Sequence, residues 1–189
     1  MLLTSCAAER QEHVSDAGPL SANVETGATS VFAPGDHPWM ETFGSYLLCS
    51  TTGTQIKLED IRYETPVKPL KVELQLRNAP PGFDLGPITS ASGQPPKFKE
   101  IGDISGQVEP FRKGVKISQK CDQDAAAHGF TELLFVVKTG KAGGHISKTW
   151  IDYTAGGDPY TLVINWQMIT CGNKIGPVNG ADRCNSDEA

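Results

Sequence analysis

Residues 70–78 read LKVELQLRN, and their order decides the fold. Val72, Leu74 and Leu76 fall on one side and Lys71, Glu73, Gln75 and Arg77 on the other. A period of two matches a strand with one buried face, and no helix produces it. Two longer apolar stretches extend the reading. Residues 160–170, YTLVINWQMIT, set Tyr160, Leu162, Ile164, Trp166 and Met168 on one face, and their β-branched content predicts one long strand. Residues 131–140, TELLFVVKTG, are apolar without a break from Leu133 to Val137 and stop at Gly140. That is the pattern of a strand buried on both faces.

Further strands are predicted over Tyr46–Thr51, Gln55–Tyr63, Gly114–Ser118 and Ser147–Tyr153. In QIKLEDIRYE the apolar phase changes between Leu58 and Ile61, so a bend or bulge is expected at Glu59-Asp60. Residues 79–98, APPGFDLGPITSASGQPPKF, carry too many Pro and Gly residues for regular structure. They predict a long surface excursion, and the larger loops, especially residues 79–97, are expected to frame whatever recognition surface exists because they are long for hairpins and rich in rigid Pro turns. Only QDAAAHG, residues 123–129, suggests helix, and barely a turn of it.

Seven or more short strands separated by turn signals, with no amphipathic helix, predict an all-β chain folded as an antiparallel β-sandwich. It resembles an immunoglobulin-like domain, although it lacks the antibody order of Cys, Trp and Cys on neighbouring core strands. The segments LLCSTTGTQIKLEDIRYE (47–64) and YTLVINWQMITCG (160–172) are also similar to uncharacterised secreted or lipid-anchored bacterial proteins. That resemblance implies an envelope location and carries no catalytic residues with it.

The 189 residues suit one domain with tails. Seventeen basic and 22 acidic residues give a net charge of −5. Residues 1–44 carry a net −5, residues 45–148 a net +3 and residues 149–189 a net −3. A body so mildly basic, with no recognition motif, is far from the stripe that displaces phosphate counterions, and nucleic acid is set aside as a partner.

Leu3-Thr4-Ser5-Cys6 resembles a bacterial lipobox, in which small residues fit a peptidase cleft and the thiol accepts diacylglycerol. Residues 1–6 are read as the remnant of a lipoprotein signal, with Cys6 as the lipidation site. Only Met1 and Leu2 stand before the motif, so the gene is expected to extend upstream into a basic and apolar signal. Residues 7–40 are rich in Ala, Gly, Ser, Glu and Thr, with few branched apolar residues and no period. They are read as a flexible tether because they cannot bury enough surface to offset their ordering entropy. The β-sandwich domain is assigned to residues 41–189. No apolar run approaches the roughly 18 residues of a membrane span, so the membrane is expected as a partner only through an N-terminal lipid.

Setting Cys6 aside leaves Cys49, Cys121, Cys171 and Cys184, with no C-x-x-C spacing. A zinc ribbon or a thioredoxin-like site is therefore unsupported, and two disulfides in an oxidising compartment are the simplest account. Three pairings remain open to sequence. The turn-prone GNKIGPVNGADR between Cys171 and Cys184 leans toward joining those two, leaving Cys49 for Cys121.

Chemical motifs fall short of their required spacing. GDISG, residues 102–106, is not the G-x-S-x-G elbow, and Ser105 is read as a loop hydroxyl. TGKAGGHISKT, residues 139–149, has His145 where a phosphate loop needs Gly, and is read as a hairpin or loop between strands. Asp122 and Asp124 start a calcium loop without its later oxygens. His13, His37, His128 and His145 are scattered, so no metal site and no cofactor are assigned. Asp36, His37, Trp39 and Met40 gather before the body, where Trp39 and Met40 are read as a staple on the sandwich rather than as copper ligands. Trp150, Tyr153, Tyr160 and Trp166 fall on predicted strands and are read as core. An exposed one beside YTAGGDPY, residues 153–160, would instead offer a stacking platform for a sugar or peptide.

No catalytic residue is assigned. The function expected is an extracytoplasmic, envelope-anchored lipoprotein serving as a non-catalytic binding or assembly module, with an envelope protein or glycan as partner. The alternative is an extracellular enzyme with a loop-built active site drawn from polar residues of 82–130.

Overall fold

The computed structural model describes residues 18–24, 26–35, 38–178 and 184. Their elements in chain order are β1 (Leu20–Ser21), β2 (Gly27–Val31), β3 (Trp39–Leu47), β4 (Cys49–Ser50), β5 (Ile56–Glu64), β6 (Lys71–Ala79), β7 (Ser90–Gln94), β8 (Lys97–Phe98), β9 (Gly102–Asp103), β10 (Gln107–Pro110), β11 (Lys116–Ile117), α1 (Ala125–His128), β12 (Phe130–Thr139), β13 (Gly144–Ile146), β14 (Lys148–Ala155), β15 (Asp158–Ile164) and β16 (Trp166–Thr170). The chain is all-β, as its periodicity predicts.

The strand that decided the fold sits in a seven-stranded sheet ordered β10-β6-β12-β3-β7-β8-β9. Beside β6, strand β12 is buried along nearly its whole length, as a run apolar on both faces must be. A four-stranded sheet, β11-β5-β14-β15, supplies the opposing apolar surface. Phe43, Leu76, Leu133, Phe135 and Val137 from the first sheet pack with Ile56, Leu58, Ile61, Ile151, Tyr153 and Leu162 from the second. Burial of this surface is the dominant favourable term.

Two irregularities adjust the ribbons. Asp152 pairs with Asp60 while Tyr153 pairs with Leu58, so Glu59 is the extra residue of a bulge where the phase change in 55–64 predicted one. In β3 the register with β12 shifts between Leu133 and Phe135, and Ser45 takes φ 68° there. The expected single strand over 160–170 is broken at Asn165 into β15 and β16. Tyr160, Leu162, Ile164, Trp166 and Met168 nevertheless keep to the core side across the break.

The pairs Ile146 with Met168 and Thr149 with Ile164 make β13-β16 a continuation of the β14-β15 hairpin, with a one-residue slip in register. Strand β2 closes this end by pairing parallel to β16, the one departure from the expected antiparallel order among the described sheets.

Strand β2 also moves the expected domain boundary. Of the residues assigned to a tether, 7–40, those from Gly18 onward contribute β1, β2 and the start of β3 to the body. Leu20 is buried, and Thr29 accepts a 3.0 Å hydrogen bond from Trp166 Nε1. Gly27 lies under the Trp166 ring, where a Cβ would come within 2.5 Å of it. A run as weakly apolar as GATSV is held by a partner far along the chain, which no local pattern reveals. Cys6, with residues 1–17, lies outside the described residues.

The excursion 79–98 differs from expectation too, because it includes β7 and β8 and folds onto the outer face of the seven-stranded sheet. Ile88, Ala91, Phe98 and Ile104 form a second small core there. Beneath it Arg77, placed by alternation on the solvent side, is fully buried with Glu132 at 3.2 Å. Its guanidinium also donates to the carbonyls of Leu85, Gly86 and Ser105. Glu132 Oε1 accepts from the N–H groups of Ser45 and Ile88 at 2.8 and 2.7 Å. The bulge in β3 directs the Ser45 N–H out of the ladder, and the carboxylate receives it.

Both disulfides are present, Cys49 with Cys121 and Cys171 with Cys184. The first joins β4 to the segment before α1. The second folds the chain beyond β16 back over Ile169, so that Ile175 and Val178 pack on β16 and on Ala28 of β2.

Candidate functional site

Alternation along β14 puts Thr149, Ile151 and Tyr153 in the interior and Lys148, Trp150 and Asp152 on the outer face. Trp150 is half-buried there, flanked by Arg62 at 5.7 Å and Lys148 at 5.8 Å from its ring centre. Arg62 donates twice to Asp152, at 3.1 and 3.0 Å, and Thr161 Oγ1 donates to the same carboxylate at 2.8 Å. Bidentate pairing of this kind fixes both side chains. The ring is therefore a braced platform on a sheet face.

The platform adjoins a cleft of about 480 Å³. Glu64, Lys148, His145, Ser147 and Gln167 line one side, and Ile175 to Val178 form the other. The cleft exists because the Cys171–Cys184 bridge holds the C-terminal segment over β16 while the outer face of β5 and β14 continues past it. His145 Nε2 lies 2.7 Å from Gln167 Oε1, so with the amide oxygen accepting, the imidazole carries its proton on Nε2. The His145 N–H donates to the Val67 carbonyl at 2.8 Å, which fixes the strand edge below the ring. Ser147 Oγ is buried without a hydrogen-bond partner, and His145 Nε2 is engaged with the amide. The cleft offers a cation, a carboxylate, an imidazole and an amide, and its cation, Lys148, also flanks the Trp150 ring, the equipment for holding a polar ligand.

Other residues singled out by sequence lie elsewhere. Ser105 Oγ is buried and unpartnered beside the guanidinium of Arg77, which takes the Ser105 carbonyl. Asp124 caps α1, accepting from the Ala126 N–H at 3.0 Å. Of residues 139–149, expected as a hairpin or loop between strands, 140–143 connect β12 to β13, while Gly144–Ile146 form β13 and Lys148 opens β14. Among the described residues no three His, Cys, Asp or Glu side chains are grouped to hold a metal ion. His13, Asp36 and His37 lie outside the described residues, while Trp39 is buried at the start of β3.

Of the four aromatic residues read as core, Tyr153 is buried, and Tyr160 and Trp166 pack against the core. Trp150 is the correction: it faces outward, and the alternation of KTWIDYTA carried the signal. Gln167 and Glu64 were not foreseen, because only the break at Asn165 and the returning C-terminal segment bring them to His145.

A carboxylate with a strongly altered titration lies away from the cleft. Glu41 on β3 is buried, and burial pushes its pKa up to about 7, helped by the neighbouring Glu100 and opposed by a hydrogen bond from Ser92. Burial likewise raises Glu132, while the Ser45 and Ile88 N–H groups and Arg77 pull it back toward ionisation.

Comparison with known protein families and with curated proteins finds no match.

Proposed function

We propose that this chain is an extracytoplasmic binding module that holds an envelope glycan on the Trp150 face and in the adjoining cleft. The observation that carries the reading is the continuity of a braced aromatic platform with an open polar cleft of about 480 Å³. A flat ring stacks on the apolar face of a sugar at little entropic cost. Glu64, Gln167, His145 and Lys148 offer the mixed donors and acceptors that ring hydroxyls and acetamido groups require.

Two disulfides suit an oxidising compartment. The lipobox-like Leu3 to Cys6 supports attachment of the module to the bacterial membrane by lipid. The finer architecture we read as an immunoglobulin-like β-sandwich, on the strength of two facing sheets with a shared core.

The test is calorimetric titration with N-acetylglucosamine oligomers and with soluble peptidoglycan fragments. Binding in the micromolar to millimolar range, weakened at least tenfold by Trp150→Ala with the melting temperature retained, is expected. Absence of binding to both probes, or binding indifferent to Trp150→Ala, overturns the reading. Cleavage of either probe would favour the enzyme alternative.

A further inference from the structure

The end of the molecule where β6 and β13 begin and β12, β16 and β2 finish combines exposed apolar side chains with clustered lysines. Leu70 is 64% exposed and Phe32 46% exposed, among the largest such exposures of apolar side chains in the described residues. Leu70 stands at the entry to β6: its N–H donates to the Lys138 carbonyl at 2.9 Å, and its side chain lies over Gly140.

Five exposed lysines share this end: Lys68, Lys71, Lys138, Lys141 and Lys174. Lys71 and Lys138 are direct cross-strand partners, a like-charge placement that disfavours the sheet itself. Lys141 and Lys174 come together because the Asn173 N–H donates to the Lys141 carbonyl and the Lys174 N–H to that of Ala142. Lys68 follows Val67, which bridges to His145 at the start of the same loop region. Phe32 joins them because the carbonyl of Val31 accepts from the Cys171 N–H at 2.8 Å. Of the carboxylates on β6 and β12, Glu73 pairs with Lys71 and Glu132 is buried with Arg77.

We propose that this end docks on an anionic phospholipid surface, with Leu70 and Phe32 entering the headgroup layer and the lysines facing lipid phosphates. The chain carries a net charge of −5 overall, so a local excess of lysine around protruding apolar residues is not a general property of its surface. Each lysine held near such a bilayer strengthens binding roughly fivefold at low salt, and the apolar side chains distinguish a bilayer from a soluble polyanion. The proposal does not rest on the glycan site or on Cys6.

The experiment is sedimentation of the full chain carrying Cys6→Ser, which removes any lipid, with vesicles of phosphatidylcholine alone or with about 30% phosphatidylglycerol. Binding only to the anionic vesicles, released when NaCl rises from about 50 to 500 mM, is expected. Glutamine at Lys68, Lys138 and Lys141 together should weaken it on the order of 100-fold, Leu70→Ser roughly fivefold, and Trp150→Ala not at all. Melting temperatures close to that of the parent show that the exposed substitutions leave the fold intact. Failure to bind anionic vesicles at low salt overturns the proposal. So does binding to dextran sulfate that matches the vesicles and ignores Leu70→Ser, which would make the end a polyanion site instead.

Discussion

At the scale of single residues, two buried carboxylates do opposite work. Glu41 has a folded pKa of about 7 against an ordinary 4.5, so between those values the folded chain holds a proton that the unfolded chain has lost. Stability from this group is therefore full below about pH 4.5, falls as pH rises, and is gone above about pH 7, a change of roughly 3 kcal/mol. Glu41→Gln, which stays neutral, should flatten that segment of the curve of denaturation midpoint against pH. Glu132 instead serves as an anion for Arg77 and two backbone N–H groups. Removing it leaves a buried guanidinium without its counter-charge, and Glu132→Ala should cost about 3 to 5 kcal/mol in denaturant unfolding. Alternation in LKVELQLRN assigns Arg77 to the polar side of β6. It does not reveal that residues 79–106 return to cover that side.

At the scale of elements, stability depends on staples between segments distant in sequence. The Cys171–Cys184 bridge closes 13 residues and Cys49–Cys121 closes 72. In the chain-entropy model these contribute about 3 and about 4 kcal/mol. Alanine pairs at each bridge should lower the melting temperature, the longer loop more, and loss of Cys171–Cys184 should also weaken ligand binding because it releases the wall of the cleft. Strand β2 rests on the contact of Gly27 and Thr29 with Trp166. Gly27→Val should displace the ring and speed amide hydrogen exchange across residues 27–31, leaving β12 protected. The strands β5, β6 and β12 were legible because their own side chains carry the period. Strands β2, β7 and β8 were not, since small residues and Pro-rich flanks pair only when a longer strand presents its edge.

At the scale of the whole molecule, the body already includes β1 and β2, ahead of the boundary expected at residue 41. A chain starting at Trp39 should therefore unfold at lower denaturant than one starting at Gly18, because it lacks Leu20 and the cover that β2 gives to β16. Attachment to the membrane is tested separately: in the full gene, Cys6 should incorporate radiolabelled palmitate, and Cys6→Ala should abolish labelling and release the protein. An unlabelled product would end the lipoprotein reading and leave the vesicle experiment unaffected.

The sequence by itself determined the all-β class, the bulge at Glu59-Asp60, the principal strands and the absence of an amphipathic helix in the described body. Each of these depends on period, turn chemistry or a short spacing, quantities that a chain carries locally. Only the tertiary structure decided which outer faces remain open, how His145, Glu64 and Gln167 came to line one cleft with Lys148, and why Arg77 is buried. Those outcomes depend on where the excursion and the C-terminal segment return to the sheets. Such returns are set by burial and hydrogen bonding between residues tens of positions apart, which leave no periodic trace in either partner.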